Sequence, residues 1–347
     1  MNPAIASLDR ARGALLGLAM GDALGMPSQV MSRREIQETY GRIEDFLAPY
    51  EGHPVSHGLK AGMITDDTEQ SLLLAEQILA SPDDFDEPAW AAALLAWEEG
   101  VKARGLLDLL GPSTKRALER LEAGVPPAEA GLGGTTNGAA MRISPLAIAT
   151  PLDPLPRFLG HVLETCRITH NSAVAVAGAA AVGAAISAGI EGADHETAVA
   201  AALAVARESE RLGLAPGESR MAQRITTALA LVEDGTGEQA HERLLQEIGT
   251  DVASIQSVPM ALALVILAEG DPWRAVCLAA NAGGDSDTIG AIAGAIAGAC
   301  AGVDRLPAAP LERLLAVNDL QIDPLVERLL ALRATRVLPV PKLDLDG

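Results

Sequence analysis

The sequence predicts an all-α protein made of a single domain. Three observations carry that expectation. Apolar residues return at three- and four-residue steps in "AWAAALLAWEEGVKARGLLDLL", "SRMAQRITTALALVED" and "PLERLLAVNDLQIDPLVERLLALRA", the spacing of one buried helix face. Alternating β-branched runs are few, and no strand–helix alternation points to a parallel sheet. Pro and Gly clusters such as "LASPDDFDEP", "EAGVPPAEAGLGG" and "VEDGTGE" punctuate the helical runs, but no Pro/Ser-rich linker or internal repeat divides them. The expected domain is residues 1–336, followed by an extended tail, "VLPVPKLDLDG", at 337–347.

Composition narrows the function classes. Of 347 residues 49% are hydrophobic and 21% charged, which is globular, while only 2% are aromatic, so Ala, Val, Leu and Ile must fill the core. The formal charge of −20 repels phosphate backbones and anionic lipid, so neither nucleic acid nor a membrane surface is an expected partner. An anionic substrate would need locally supplied positive charge, and bound metal is one source. Cys166, Cys277 and Cys300 lie far apart without a CxxC and read as small apolar residues in a reducing compartment. The apolar N-terminal stretch is interrupted by Asp22, unlike a signal peptide, and the expected location is cytoplasmic.

Taken in order, "LGLAMGDALGMPSQ" (16–29) places Gly17, Gly21 and Gly25 on a four-step small face that Asp22 interrupts. A charge there is costly unless paired, so Asp22 is either an acceptor for neighbouring groups or on the exposed side. "TDDTEQSLLLAEQIL" (65–79) opens a helix with Thr65 as N-cap and Asp66, Asp67 and Glu69 in its first turns. "LGPSTKRALERLEAG" (110–124) reads as a Pro-Ser capped helix start or a substrate lid. "GLGGTTNGAAMRISPLAI" (131–148) is a glycine-rich loop leading through Asn137-Gly138 to a helix from about Ala139; no GK[ST] follows, so it is no triphosphate loop. "RITHNSAVAVAG" (167–178) opens an Ala-rich helix with His170 at its head, a structural or surface position unless it meets substrate. The uncharged run 173–190 is long enough to span a membrane, but its Ala/Gly content and flanks without Lys/Arg favour a tightly packed interior helix. "GGDSDTIGAIAGAIAGA" (283–299) sets Asp285, Asp287 and Thr288 before a helix whose glycines recur at 290, 294, 298 and 302.

The two acidic starts share a form, Thr65-Asp66-Asp67-Thr68 and Asp285-Ser286-Asp287-Thr288. If they meet, four carboxylates share one pocket and cannot all stay ionised without cations. Two divalent ions balance the charge, and an all-oxygen donor set suits Mg²⁺ or Mn²⁺. Asp285 and Asp287 converge only at a loop-to-helix junction, and Gly283-Gly284 permits that backbone.

These segments, with "SVPMALALVILAEGD", resemble the ADP-ribosylglycohydrolase family, which includes J1-crystallin, in order from about residue 12 to 303. The resemblance implies an orthogonally packed all-α bundle with a dinuclear Mg²⁺ or Mn²⁺ cleft. It implies Thr65, Asp66, Asp67, Asp285, Asp287 and Thr288 as ligands, and Asn137, Gly138, His170 and Gly284 as substrate contacts. It also implies hydrolysis of an N- or O-ribosyl bond in a ribosyl-containing small molecule or an ADP-ribosylated target. Many hydrolytic members carry Glu four residues after the GDALG glycine; here stands Gln29, which takes no proton near neutral pH. Water activation then falls to the metals or to Asp67 or Asp287, with Gln29 orienting a water or a ribose hydroxyl. Alternatives are hydrolysis of small N-ribosides and a non-catalytic, metal-binding role of the J1-crystallin kind; the sequence leaves the oligomeric state open.

Overall fold

Eighteen α-helices and no strand form among the residues described by the computed structural model, namely 3–106, 111–213, 220–233, 235 and 237–336. The tail expected at 337–347 lies outside them. In chain order the first nine helices are α1 (Pro3–Gly25), α2 (Arg33–Thr39), α3 (Asp66–Ala80), α4 (Glu87–Ala103), α5 (Pro112–Glu122), α6 (Pro127–Ala130), α7 (Gly138–Met141), α8 (Ser144–Ala149) and α9 (Leu155–His170). They are followed by α10 (Ala173–Ile190), α11 (His195–Ser209), α12 (Met221–Glu233), α13 (Gly237–Glu247), α14 (Ser254–Leu267), α15 (Pro272–Ala280), α16 (Ser286–Ala301), α17 (Ala308–Asn318) and α18 (Asp323–Thr335).

The glycine steps of α1 and α16 meet each other. A Cβ on Gly13 would strike the backbone of Gly298, on Gly17 that of Gly294, and on Gly21 that of Gly290. The pairing runs antiparallel and ends where a Cβ on Gly25 would stand 2.5 Å from the Asp287 Cα. Each glycine costs a helix interior about 0.8–1 kcal/mol relative to Ala; backbone-to-backbone contact along the seam offsets that cost with close packing. The seam also fixes register: Asp22 and Gln29, at the end of α1 and the turn after it, are set beside the acidic start of α16. Gly302 falls past the helix, at its C-terminal cap with φ of +86°, and closes the seam against Gly13 and Asp9 of α1.

Helix α10 is the interior helix its composition suggests. It is long and apolar enough to cross a membrane, yet 94% of it is buried inside the fold, against α8, α9, α11 and α16. With few aromatics, close packing of Ala and Gly backbones does what large side chains do elsewhere. All three cysteines are buried and free.

Among the described residues extended pairing is confined to two isolated bridges, Leu132 with Asn171 and Thr136 with Ala253. They pin the glycine-rich loop between the end of α9 and the start of α14, reinforced by Asn137 N–H donating to the Val252 carbonyl at 2.9 Å. The single helix expected from about Ala139 is two short pieces, α7 and α8, because Pro145 begins a new helix rather than continuing the old one.

Candidate active site

The two acidic helix starts meet. The Thr288 hydroxyl at the head of α16 donates to Asp67 Oδ2 at the head of α3, at 3.4 Å. Asp66, Asp67 and Asp287 are all buried, and among the described residues none of the three, nor Asp285 or Asp22, forms an ion pair with a basic side chain. Asp67 Oδ1 is buried with no hydrogen-bond partner at all.

Local sequence explains how each acid arrives. Gly283 and Gly284 both take positive φ, +80° and +67°. A Cβ on Gly283 would lie 2.5 Å from the Met31 carbonyl oxygen, and one on Gly284 would overlap Thr250. Glycine is therefore required twice over, for the turn and for the close approach. The bend is held by Val30 N–H to the Gly284 carbonyl (2.6 Å), Gly284 N–H to Met31 (2.8 Å) and Asp285 N–H to Thr250 (2.7 Å). Asp285 occupies the N-cap position of α16 without capping it; its Oδ2 accepts from Asn137 Nδ2 at 2.5 Å instead.

Thr65 holds the expected N-cap position of α3, but its side chain makes no capping hydrogen bond. Asp22 does that work from a neighbouring helix. Its carboxylate accepts from Thr65 N–H (3.0 Å), Thr65 Oγ1 (2.7 Å), Thr68 N–H (3.1 Å) and Thr68 Oγ1 (2.5 Å). A buried carboxylate offers more charge to a helix N-terminus than a hydroxyl can, so Asp22 wins the orphan amides. Burial raises its pKa to about 6 while those four bonds pull it down. The first of the two readings of Asp22 holds, since it is fully buried and acts as an acceptor.

The other carboxyls are raised too. Burial pushes Asp66, Asp67 and Asp287 well above the ordinary range, and the charges of neighbouring acids add to it. Burial lifts Asp285 to about 6, partly opposed by the Asn137 and Thr288 hydrogen bonds.

A cavity of about 140 Å³ opens at this junction, lined by Asp66, Asp285, Asp287 and Thr288 on one side and Thr136, Asn137, Gly138, Gln29 and Val30 around them. Gly111, Pro112 and Thr114 at the start of α5 also line it, and no side chain caps that helix, contrary to the expected Pro-Ser cap. A second, more open depression of about 390 Å³ shares Val30, Val252 and Asp285 and includes Gly284. Asp67 and Thr65 lie behind the cavity wall rather than on it. His170 closes α9, is fully enclosed, and contacts Thr136 Oγ1 through Nε2 at 3.0 Å instead of reaching the cavity itself.

Gln29 is clamped. Its Nε2 donates to Ser56 Oγ at 2.8 Å, and Ser56 in turn donates to the Met26 carbonyl at 2.9 Å. His53 Nδ1 accepts from Ser56 N–H (2.8 Å), so the ring proton lies on Nε2 and is donated to the Gln29 carbonyl at 3.1 Å. The neighbouring Val30 has φ of +59° and is 54% exposed, a strained backbone for a β-branched residue at the cavity's edge. Sequence reading missed Val30, His53, Ser56 and Gln70. Only Gln70 left a trace, four residues after Asp66 on the same helix face.

Against this geometry, comparison with known proteins is decisive. The sequence profile of the ADP-ribosylglycohydrolase family matches residues 3–338. The chain belongs to the ADP-ribosylglycohydrolase family. It is 38% identical to an uncharacterized Escherichia coli protein, YegU, over 91% of this chain and 94% of that one. It is 32% identical to the ADP-ribosyl-[dinitrogen reductase] glycohydrolase of Rhodospirillum rubrum, over 93% and 96%. A solved structure titled ADP-ribosylglycohydrolase-related protein complex superposes with a TM-score of 0.68 at 27% identity, covering 94% of this chain and 98% of the other. The all-α family fold is thereby established, and kinship supports a glycosyl hydrolase. The expected dinuclear centre is not displayed as such: among the described residues no three Asp, Glu, His or Cys side chains close on a common point.

Proposed function

We propose that this ADP-ribosylglycohydrolase family member is a Mg²⁺- or Mn²⁺-dependent hydrolase that cleaves the ribosyl glycosidic bond of ADP-ribosyl conjugates. The observation that carries the reading is the meeting of two acidic helix starts without a compensating cation, with Asp67 Oδ1 left buried and unpartnered. Such a group of acids is unstable as four anions and suited to hard divalent cations with oxygen ligands. Asp66, Asp67, Asp285 and Asp287, with the hydroxyls of Thr65 and Thr288, would hold them. When bound, such ions would chelate vicinal ribose hydroxyls and acidify a water.

The chain's own groups supply the rest. Asp287 faces the cavity, whereas Asp67 lies behind it, so Asp287 is the better placed to take the proton of the attacking water. Departure of the leaving group builds positive charge at the anomeric carbon, which the adjacent carboxylates stabilise. Gln29, held by Ser56 and His53, takes no proton and instead orients a water or ribose hydroxyl through its amide oxygen.

A second reading, hydrolysis of small N-ribosides, is favoured by one observation. Among the described residues lining the cavity no side chain is aromatic or basic, so neither adenine stacking nor diphosphate neutralisation has a side-chain partner there. The test is a panel of ADP-ribosyl-arginine, ADP-ribosyl-serine peptide, O-acetyl-ADP-ribose and free nucleosides, each with Mg²⁺ or Mn²⁺ and with EDTA. EDTA-sensitive release of ADP-ribose supports the first reading; release of free ribose from nucleosides alone supports the second. Normal turnover by Asp287→Asn would remove Asp287 from the mechanism.

A further inference from the structure

We propose that Arg142 is a positioning residue that fixes two walls of the cleft at once, orienting the Asp66 carboxylate through Gln70 and the Thr136 hydroxyl through Thr169 and His170. The Asp66 arm rests on the metal-site reading above; the Thr136 arm does not.

Arg142 is almost wholly buried, between α7 and α8, with its guanidinium 5.5 Å above the Trp90 ring. Burial lowers its pKa to about 10, so it stays charged at neutral pH. A buried cation without a carboxylate partner is costly, and it leans on whatever acceptors it has. Here it has two neutral ones, Gln70 Oε1 at 2.6 Å and Thr169 Oγ1 at 2.5 Å.

Because guanidinium only donates, each acceptor is forced into one orientation. Gln70 must turn its oxygen to Arg142 and its amide nitrogen outward, where Nε2 donates to Asp66 Oδ2 at 3.3 Å. Thr169 accepts from Arg142, which frees its own hydroxyl hydrogen for His170 Nδ1 at 2.8 Å. An acceptor at Nδ1 places the ring proton on Nε2, and that proton goes to Thr136 Oγ1 at 3.0 Å. The Thr136 hydroxyl hydrogen is then left for the cavity that Thr136 lines, where it serves an acceptor oxygen of the substrate. Gly138 is part of the device: a Cβ there would stand 2.8 Å from His170 Cε1 and push the ring away. Enclosure also keeps His170 neutral, since burial lowers its pKa well below the ordinary value.

Three variants test the two arms with readouts that need no turnover: Mn²⁺ affinity by calorimetry, and the ring ¹⁵N–¹H pattern of His170, assigned by its loss in His170→Gln. Gln70→Met should weaken Mn²⁺ binding by about 10- to 100-fold, the usual cost of losing a group that orients a metal ligand, and leave His170 an Nε2–H tautomer. Thr169→Val should leave Mn²⁺ affinity unchanged and move His170 off that single tautomer. Arg142→Met should do both. Parent-like Mn²⁺ affinity in Gln70→Met overturns the Asp66 arm, and an unaltered His170 in Thr169→Val overturns the Thr136 arm. If Arg142→Met does not fold, the two single-arm variants still decide. A parent chain that bound no Mn²⁺ would remove the metal reading and the Asp66 arm together, while the tautomer measurement would judge the other arm alone.

Discussion

Asp22 shows how one side chain ties two distant segments to a single site. It leaves α1 as a charge in an apolar helix and ends as the cap of α3, accepting from both Thr65 and Thr68. Asp22→Asn keeps the shape but replaces an acceptor-only carboxylate with an amide that presents two donors to the same amides and hydroxyls. The expected loss is about 2 kcal/mol in chemical denaturation, the scale of a lost cap plus an unsatisfied buried group. A change under a few tenths would mean that Asp22 does not cap α3. The sequence showed the cost of burying Asp22 but not its partner, because nothing in the spacing links residue 22 to residue 65. The acids themselves were legible: their type and their place at helix starts survive without knowledge of contacts. Arg142 and the His53–Ser56 clamp were not, since each acts through a hydrogen bond to a residue far along the chain, and Gln70 showed its four-residue step from Asp66 but not its tie to Arg142.

At the scale of elements, the α1–α16 seam decides where the site forms. Gly21→Ala would gain helix propensity on an isolated helix, yet its methyl group would collide with the Gly290 backbone. We expect Gly21→Ala to destabilise the protein by about 1–3 kcal/mol, as overpacking does, and to lower activity by shifting α16 relative to α3. Gly100→Ala in α4, where a Cβ would meet nothing within 4 Å, should stabilise by up to about 1 kcal/mol. Denaturation midpoints of the two variants check the contrast, and a stabilised Gly21→Ala would remove the seam from the account. The four-residue glycine step was visible in both helices from sequence. That the two steps face each other was not, because a smooth face does not name what covers it.

Across the whole molecule, charge links stability to metal. The buried carboxyls of the site have pKa values above their ordinary 3.8, about 6 for Asp22 and Asp285 and well above 3.8 for Asp66, Asp67 and Asp287. A raised carboxyl binds more protons folded than unfolded, so its contribution falls as pH rises through that window. The buried imidazoles of His53, His170 and His241 carry the opposite sign: burial lowers them from 6.5, and they lose stability as pH falls below it. A raw pH profile therefore mixes both, whereas the difference between metal-loaded and metal-free melting curves cancels the imidazoles. Cations compete with protons for the carboxylates. The upward shift in Tm with saturating Mn²⁺ should be several degrees larger at pH 7.5 than at pH 5.5. An equal shift at both would place the ion elsewhere.

The most direct test of the central claim, that the two acidic helix starts form one metal site, is a calorimetric Mn²⁺ titration of the parent chain beside Asp67→Asn and Asp287→Asn. Two Mn²⁺ ions per chain are expected for the parent, with binding lost or severely weakened in both variants, because each removes a carboxylate from a different helix start. Two ions bound with parent affinity in either variant, or none bound by the parent, would contradict that claim.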